Sequence, residues 1–331
     1  MKTLTFYPPY DISQIDGLEQ LSALTNEELN RHKPDIHMIA LNGENVATAR
    51  CSLWHTETPG LPEQKPGIIG HYAAKDPAAA AFLLAEACAL LSKEVCTLAI
   101  GPMDGNTWRR YRFVTEHGST PRFFLELENP DEWPQHFLAS GFTPLATYSS
   151  ALTTDLTYVD PRMAAVEERL TSDGVTIRPI EPTRFETELF SIFQLSLEGF
   201  QHNYLYTPAE ASEFLGVYRQ ALPYVRPELV LMAEQSNRLV GFSFSIPDWC
   251  QKERGEPVDT IVYKTIAVLP GRAYAGLGSL LSAQTNRTAL KLGYSRVIHA
   301  LMHDSNHSRK ISDRFAHTIR RYTLFAKSLQ P

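Results

Sequence analysis

Residues 265–281 read TIAVLPGRAYAGLGSLL, an order that narrows the folds open to this chain more than any other stretch. Ile266, Val268 and Leu269 are β-formers, Pro270-Gly271 ends the strand, and Leu280, Leu281 and Leu290 give the next segment an apolar helical face. A glycine-punctuated loop therefore joins a strand end to a helix start. The first turn of a helix presents N–H groups without intrahelical partners and the positive end of the helix dipole. Gly276 and Gly278 carry no Cβ, so a phosphate can approach that backbone closely. A glycine pair at this place also serves simply to begin a helix, so the surrounding order has to decide.

That order is strand, V-x-P, glycine loop, amphipathic helix to Leu292-Gly293, strand SRVIHALMHD, then D-S-N opening another helix. It resembles the acetyl-CoA-binding core of the GNAT N-acetyltransferases. The resemblance implies a pantetheine arm lying between two splayed parallel strands and bonded to the backbone of Ile266, Ala267 and Val268. It implies that the pyrophosphate sits on Tyr274, Ala275, Gly276, Leu277, Gly278 and Ser279, with Arg272 and Asn306 as further cofactor contacts. In that family an Arg or Gln stands three residues before the first glycine of the pair. Here Ala273 holds that place and Arg272 comes one residue earlier.

The pattern D-x-N-x-x-R occurs twice, as Asp104, Asn106, Arg109 and as Asp304, Asn306, Arg309, each time after an apolar strand and at an expected strand-to-helix junction. Asp and Asn are ordinary N-caps there, and tandem duplication is the preferred account of the match. In the second half the reading gives a strand at 175–180, helices over RFETELFSIFQLSLEGF and from Pro208 to about Leu222, and strands ELVLMAEQ and LVGFSFSI around a turn at Ser236-Asn237-Arg238. DTIVYKTIAVLP, the helix from Gly278, RVIHALMH, a short helix after Asp304 and a last strand near TIRRYTLFAK follow. The first half gives TLTFY, a helix near 13–24, IHMIAL, VATARCSLW, GIIGHYAA, an Ala-rich helix 77–92, CTLAIGP and the helix of WPQHFLASGF. The expected fold class is α/β, mixed α+β: two tandem GNAT-like domains, each a mostly antiparallel central sheet with splayed parallel strands flanked by helices.

The expected boundaries are 1–155 for a degenerate GNAT-like domain, 156–172 for a linker helix, and 173–331 for the domain with the acetyl-CoA site. Where the first half should carry its phosphate loop it reads HYAAKDPAAAAFLL, with no glycine pair. Asp76 there would repel pyrophosphate, and Pro77 removes a backbone donor. This half reads as a scaffold or partial substrate wall.

A length of 331 residues suggests about two domains, and 43% hydrophobic residues suffice for packed cores. A net charge of −6 without a basic stripe argues against a nucleic-acid partner, and Arg309, Lys310, Arg314, Arg320 and Arg321 read as a solvated face. Cys51, Cys88, Cys96 and Cys250 form no C-x-x-C pair, which fits reduced thiols and a cytoplasmic enzyme. The start MKTLTFYPPYD has no apolar leader core, and no window approaches the roughly 18 apolar residues of a membrane span. The expected partner is a small-molecule amine, with neither nucleic acid nor membrane; a homo-oligomer is open.

Relatives in that family often place a Glu on the strand before V-x-P, but IVYKTIAV has Lys264 and Thr265, and the place of the usual helical Tyr, counted from Asn306, falls on Asp313. His303 ends the strand lining the opening, and an imidazole titrates near working pH, so His303 is the candidate base and Asn306 the candidate positioning amide. A His at a strand end is also often a surface or capping residue. His303, Asp304 and His307 could suggest a metal site, but two His at a short helix start without a third ligand rarely form one, so no metal is expected, and Tyr322 reads as a core aromatic. The segment SLEGFQHNYLYTP offers Glu198 for an ammonium group and Asn203, Tyr204 and Tyr206 for a polar body, with residues 247–259 as a covering loop. Two functions stay open: an acetyl-CoA-dependent N-acyltransferase acting on a small polar amine, and a non-catalytic acyl-CoA-binding or interaction protein. The glycine loop and polar segment favour the first; the missing acid and base favour the second.

Overall fold

The computed structural model describes residues 1–158, 160–305 and 316–329. In the first half, β1 (Lys2–Phe6), β2 (Ile36–Leu41), β3 (Ala47–Trp54) and β4 (Pro66–Ala74) run antiparallel, with α1 (Asn26–His32) before β2. α2 (Pro77–Lys93) crosses over to β5 (Leu98–Gly101), which lies parallel to β4. β6 (Phe113–Glu116), α3 (Glu132–Ala139) and β7 (Thr143–Thr153) complete this half. α4 (Met163–Ser172) leads into β8 (Val175–Pro179), α5 (Phe185–Phe200), α6 (Ala211–Ala221), β9 (Val230–Gln235), β10 (Arg238–Pro247) and α7 (Trp249–Glu253). β11 (Thr260–Val268), α8 (Leu277–Lys291), β12 (Arg296–His303) and β13 (His317–Ser328) follow, β12 lying parallel to β11.

Among the described residues these strands form one thirteen-stranded sheet in the order β1-β2-β3-β4-β5-β13-β7-β12-β11-β10-β9-β8, with β6 also on β13. The two flanks mirror each other, four antiparallel strands followed by one parallel strand. At the centre the halves exchange strands. β13, late in the second half, pairs with β5 of the first; β7, the end of the first half, pairs with β12 of the second. β2 and β4 are buried at every position, as befits strands covered on both faces. α2 lays Leu83, Leu84, Ala87 and Leu91 on that flank, while α5 and α8 cover the other through residues such as Leu189, Ile192, Leu280 and Leu281.

Both parallel pairs part partway along. β11 and β12 are in register from Thr260↔Arg296 to Tyr263↔His299 and then separate; β4 and β5 are in register from Pro66↔Leu98 to Ile68↔Ile100. The expected turn between β9 and β10 forms with Ser236 and Asn237 at φ 51° and 62°, the handedness that tight hairpins require.

Two local expectations are corrected. No helix spans 13–24; a short 3-10 turn (Leu18–Gln20) follows Gly17 at φ 85°, and the helix begins after Thr25, whose capping box with Glu28 satisfies its first donors. No helix follows MDGNTWRRY, because Asn106 Oδ1 caps Trp108 and Arg109 into a turn. β6 and β7 were not expected at all. Asn306, His307, Arg309, Asp313 and the short helix after Asp304 lie outside the described residues.

Candidate functional site

The glycine loop sits where the second-half strands part. Gly276, at φ 86°, is the N-cap of α8, and among the described residues no side chain caps that helix. Leu277, Gly278 and Ser279 therefore begin α8 with N–H groups that have no intrahelical partner. A Cβ on Gly278 would meet only Val268 and Ile266 side-chain carbons at 3.7 and 3.8 Å, so it would fill the space between α8 and the parted section of β11. Ile266 and Val268 are half-buried there, and Ala267 is buried. The far side of the loop is fixed by α4, where Arg169 donates to the carbonyls of Ala273 (3.0 Å) and Ala275 (2.5 Å), and Val166 packs against Gly276. Arg272 and Ala275 are exposed, and Tyr274 ties back to Gln235 through its hydroxyl at 2.8 Å.

The matching place in the first half is shut. The Asp76 carboxylate accepts from Ala79 N–H at 2.8 Å, Pro77 supplies no donor, and Lys75 is drawn off to Gln20. Met103 N–H bonds Ile69 O at 2.9 Å and Asp104 accepts from His71 N–H at 2.6 Å, so a loop bridges the gap between β4 and β5.

Polar side chains from both halves gather beside the second opening. Lys264 is the first residue of β11 past the register with β12, and its half-buried ammonium has a long contact of 3.4 Å to Leu125 O. Burial, helped by the Arg112 guanidinium and opposed by Glu126, pulls its pKa from 10.5 to about 8. Glu126 is buried, ion-paired with Arg320 at 3.0 Å, and accepts from the Tyr322 hydroxyl at 2.8 Å; burial raises its pKa. Arg112 is held between the rings of Tyr111 and Tyr148, 4.0 and 4.1 Å from their centroids. Its Nε and Nη1 are buried without partners.

His303 stands at the end of β12, edge-on to Tyr148 and 5.8 Å from the Tyr204 ring. Its Nδ1 accepts from Ser305 N–H at 3.1 Å and lies 2.7 Å from Ser305 Oγ. A backbone N–H can only donate, so the neutral ring carries its proton on Nε2 and presents a donor there. Burial holds the His303 pKa below 6.5, with Asp304 opposing and Arg112 adding to the effect.

The proposed substrate residues divide. Tyr204 reaches His303, and Asn203 is exposed beside it. Glu198 is engaged elsewhere, its carboxylate paired with Arg238 at 2.8 Å. Tyr206 turns inward, its hydroxyl on Leu197 O at 3.2 Å and its ring against Trp108. Tyr322 is fully buried, as its reading as a core aromatic required. Arg112 and Glu126 escaped the sequence reading because they come from loops without periodicity, and Tyr148 because its strand β7 was not expected. Lys264 had left a signal, a lone charge inside an apolar strand.

No protein-family model matches the sequence, and no curated protein does. Among solved structures, a GCN5-related N-acetyltransferase from Anabaena variabilis ATCC 29413 superposes with a TM-score of 0.55 at 9% identity, over 99% of this chain and 73% of that one. The glucosamine N-acetyltransferase region of a fungal multi-domain GH3 β-N-acetylglucosaminidase superposes with a TM-score of 0.51 at 12% identity, over 88% of this chain. This chain spans only 33% of that protein's length. At such identities the likeness is one of fold: the chain has the fold of the GNAT N-acetyltransferases, built twice in tandem.

Proposed function

We propose that this protein is an acetyl-CoA-dependent N-acyltransferase acting on the amine of a small polar molecule. The observation that carries the reading is the uncapped start of α8 at a parted strand pair, set against the first half, where Asp76 and Pro77 close the same place. The residues fit the cofactor: Leu277, Gly278 and Ser279 would hold its pyrophosphate by N–H groups, and the β11 backbone at Ile266, Ala267 and Val268 would receive its arm. When bound, acetyl-CoA supplies a thioester open to direct attack by an amine.

The chain's own residues then have three tasks. A neutral amine needs a base, and Lys264, near pKa 8, is neutral often enough to take its proton directly or through a water. His303, with Nε2–H as a donor, positions a water or the acceptor and is the weaker candidate for the base. Tyr148 and Tyr204 frame it, so the acceptor wall includes a first-half strand. Asn306 remains the proposed positioning amide. Release of free CoA in a screen of small amines tests the proposal. Binding of acetyl-CoA with no amine yielding turnover would leave the non-catalytic reading in its place.

A further inference from the structure

A second site lies in the first half. A cavity of about 400 Å³ lies beside the loop that bridges β4 and β5, lined by His71 and Tyr72 of β4 and, on another side, by residues of α6. Neither the glycine loop nor Lys264 nor His303 lines it. Its volume is that of a small-molecule pocket, and Tyr72, Trp108, Phe113 and Trp133 give it flat apolar walls.

Two buried arginines are among the residues that line it, each with at least one buried guanidinium nitrogen that lacks a partner among the described residues. Arg50 is 3% exposed; its Nη2 donates to Ser22 Oγ at 3.0 Å, and its Nε is buried without a partner. Arg112 is 8% exposed with two such nitrogens. Among the described residues neither forms an ion pair, whereas the carboxylates around the cavity are engaged. Glu213 grips Arg109 with two bonds, 2.5 and 2.9 Å, Glu128 pairs with Arg122, and Glu28 is occupied in its capping box. Asp104 accepts from His71 N–H, and burial raises its pKa. Buried donors of a charged group call for an acceptor that brings charge with it.

We propose that this cavity binds a small organic anion, a carboxylate or phosphate on an apolar or aromatic body, with the charged group held by Arg50 and Arg112. The test uses the full chain and calorimetry with benzoate, phenyl phosphate, inorganic phosphate and benzyl alcohol. One molecule of benzoate or phenyl phosphate per chain is expected to bind, and benzyl alcohol to bind at least tenfold more weakly. Arg50→Met should weaken the anion at least tenfold, Arg50→Lys less, and acetyl-CoA binding should stay unchanged in both. Should Arg50→Met not fold, Arg50→Lys and the anion-to-alcohol ratio in the unmodified protein carry the comparison. No binding of either aromatic anion at millimolar concentration, equal binding of the alcohol, or undiminished anion binding in the folded variants would overturn the proposal. Inorganic phosphate binding as tightly as phenyl phosphate would overturn the organic-ligand assignment.

Discussion

Tyr148 stands edge-on to His303 with ring centroids 4.9 Å apart, although they come from opposite halves of the chain. The contact follows from backbone register, since β7 pairs Tyr148 with His303 across the exchanged strand. The candidate site is thus walled by the half that has no glycine loop of its own.

Residues 173–331 expressed alone are expected to be insoluble or unfolded. The fragment would leave β12 without β7, and β13 without β5, β6 and β7, baring ladder edges in the middle of a sheet. Circular dichroism and gel filtration check this; a soluble, folded and fully active fragment would contradict the reading.

Acetyl-CoA is expected to bind once per chain. Gly278→Val should fold, because a Cβ there meets only side-chain carbons at ordinary distance, yet it should weaken acetyl-CoA at least tenfold, about 1.4 kcal/mol. Two equivalent sites by calorimetry, or unchanged affinity in the variant, would refute the assignment.

The rate is expected to rise with pH through about 8, as Lys264 loses its proton. Lys264→Met should lower kcat by roughly 10²–10⁴ and abolish that limb. His303→Ala should cost less and leave the limb in place. A limb below 6.5 that vanishes in His303→Ala instead would make His303 the base.

Stability is expected to fall in mild acid. Burial lowers the His299 pKa from 6.5 to about 4, and His32, His37 and His71 are lowered in the same direction. Between about 4 and 6.5 the unfolded chain therefore binds more protons than the folded one, so stability present above 6.5 is lost as pH falls. Urea midpoints at pH 7.5 and 5.0 measure the loss. His299→Gln, which can keep the bond to Thr153, should narrow the gap; an unchanged gap would exclude His299 as a contributor.

What could be read from the sequence was local. Strand, Pro-Gly turn, glycine loop and helix are neighbours in the chain, and each leaves its own periodicity or turn chemistry, so β11 and α8 formed as expected. The same holds for the capping pattern Thr25-x-x-Glu28, which was present though not used, and which would have displaced the helix expected at 13–24. The strand exchange left no comparable trace, because a strand's pattern reports which face is buried and not which strand lies beside it. Arg112 and Glu126 stayed hidden for a related reason, and Arg320, expected on a solvated face, is instead buried. Arg320 and Glu126 meet across 194 positions, and a single charge looks alike in sequence whether it ends in solvent or in a buried pair.

The exchanged strand also sets a timetable for synthesis. β13 follows every other strand of the described sheet, yet it lies between β5 and β7 at the centre. A ribosome adding about 5–20 residues per second delivers β7 on the order of ten seconds or more before β13 exists. During that interval the nascent first half carries an unfilled slot flanked by backbone groups ready to pair with any passing strand. Cells making this protein would need either to shield that slot or to hold the first half open until its last strand emerges.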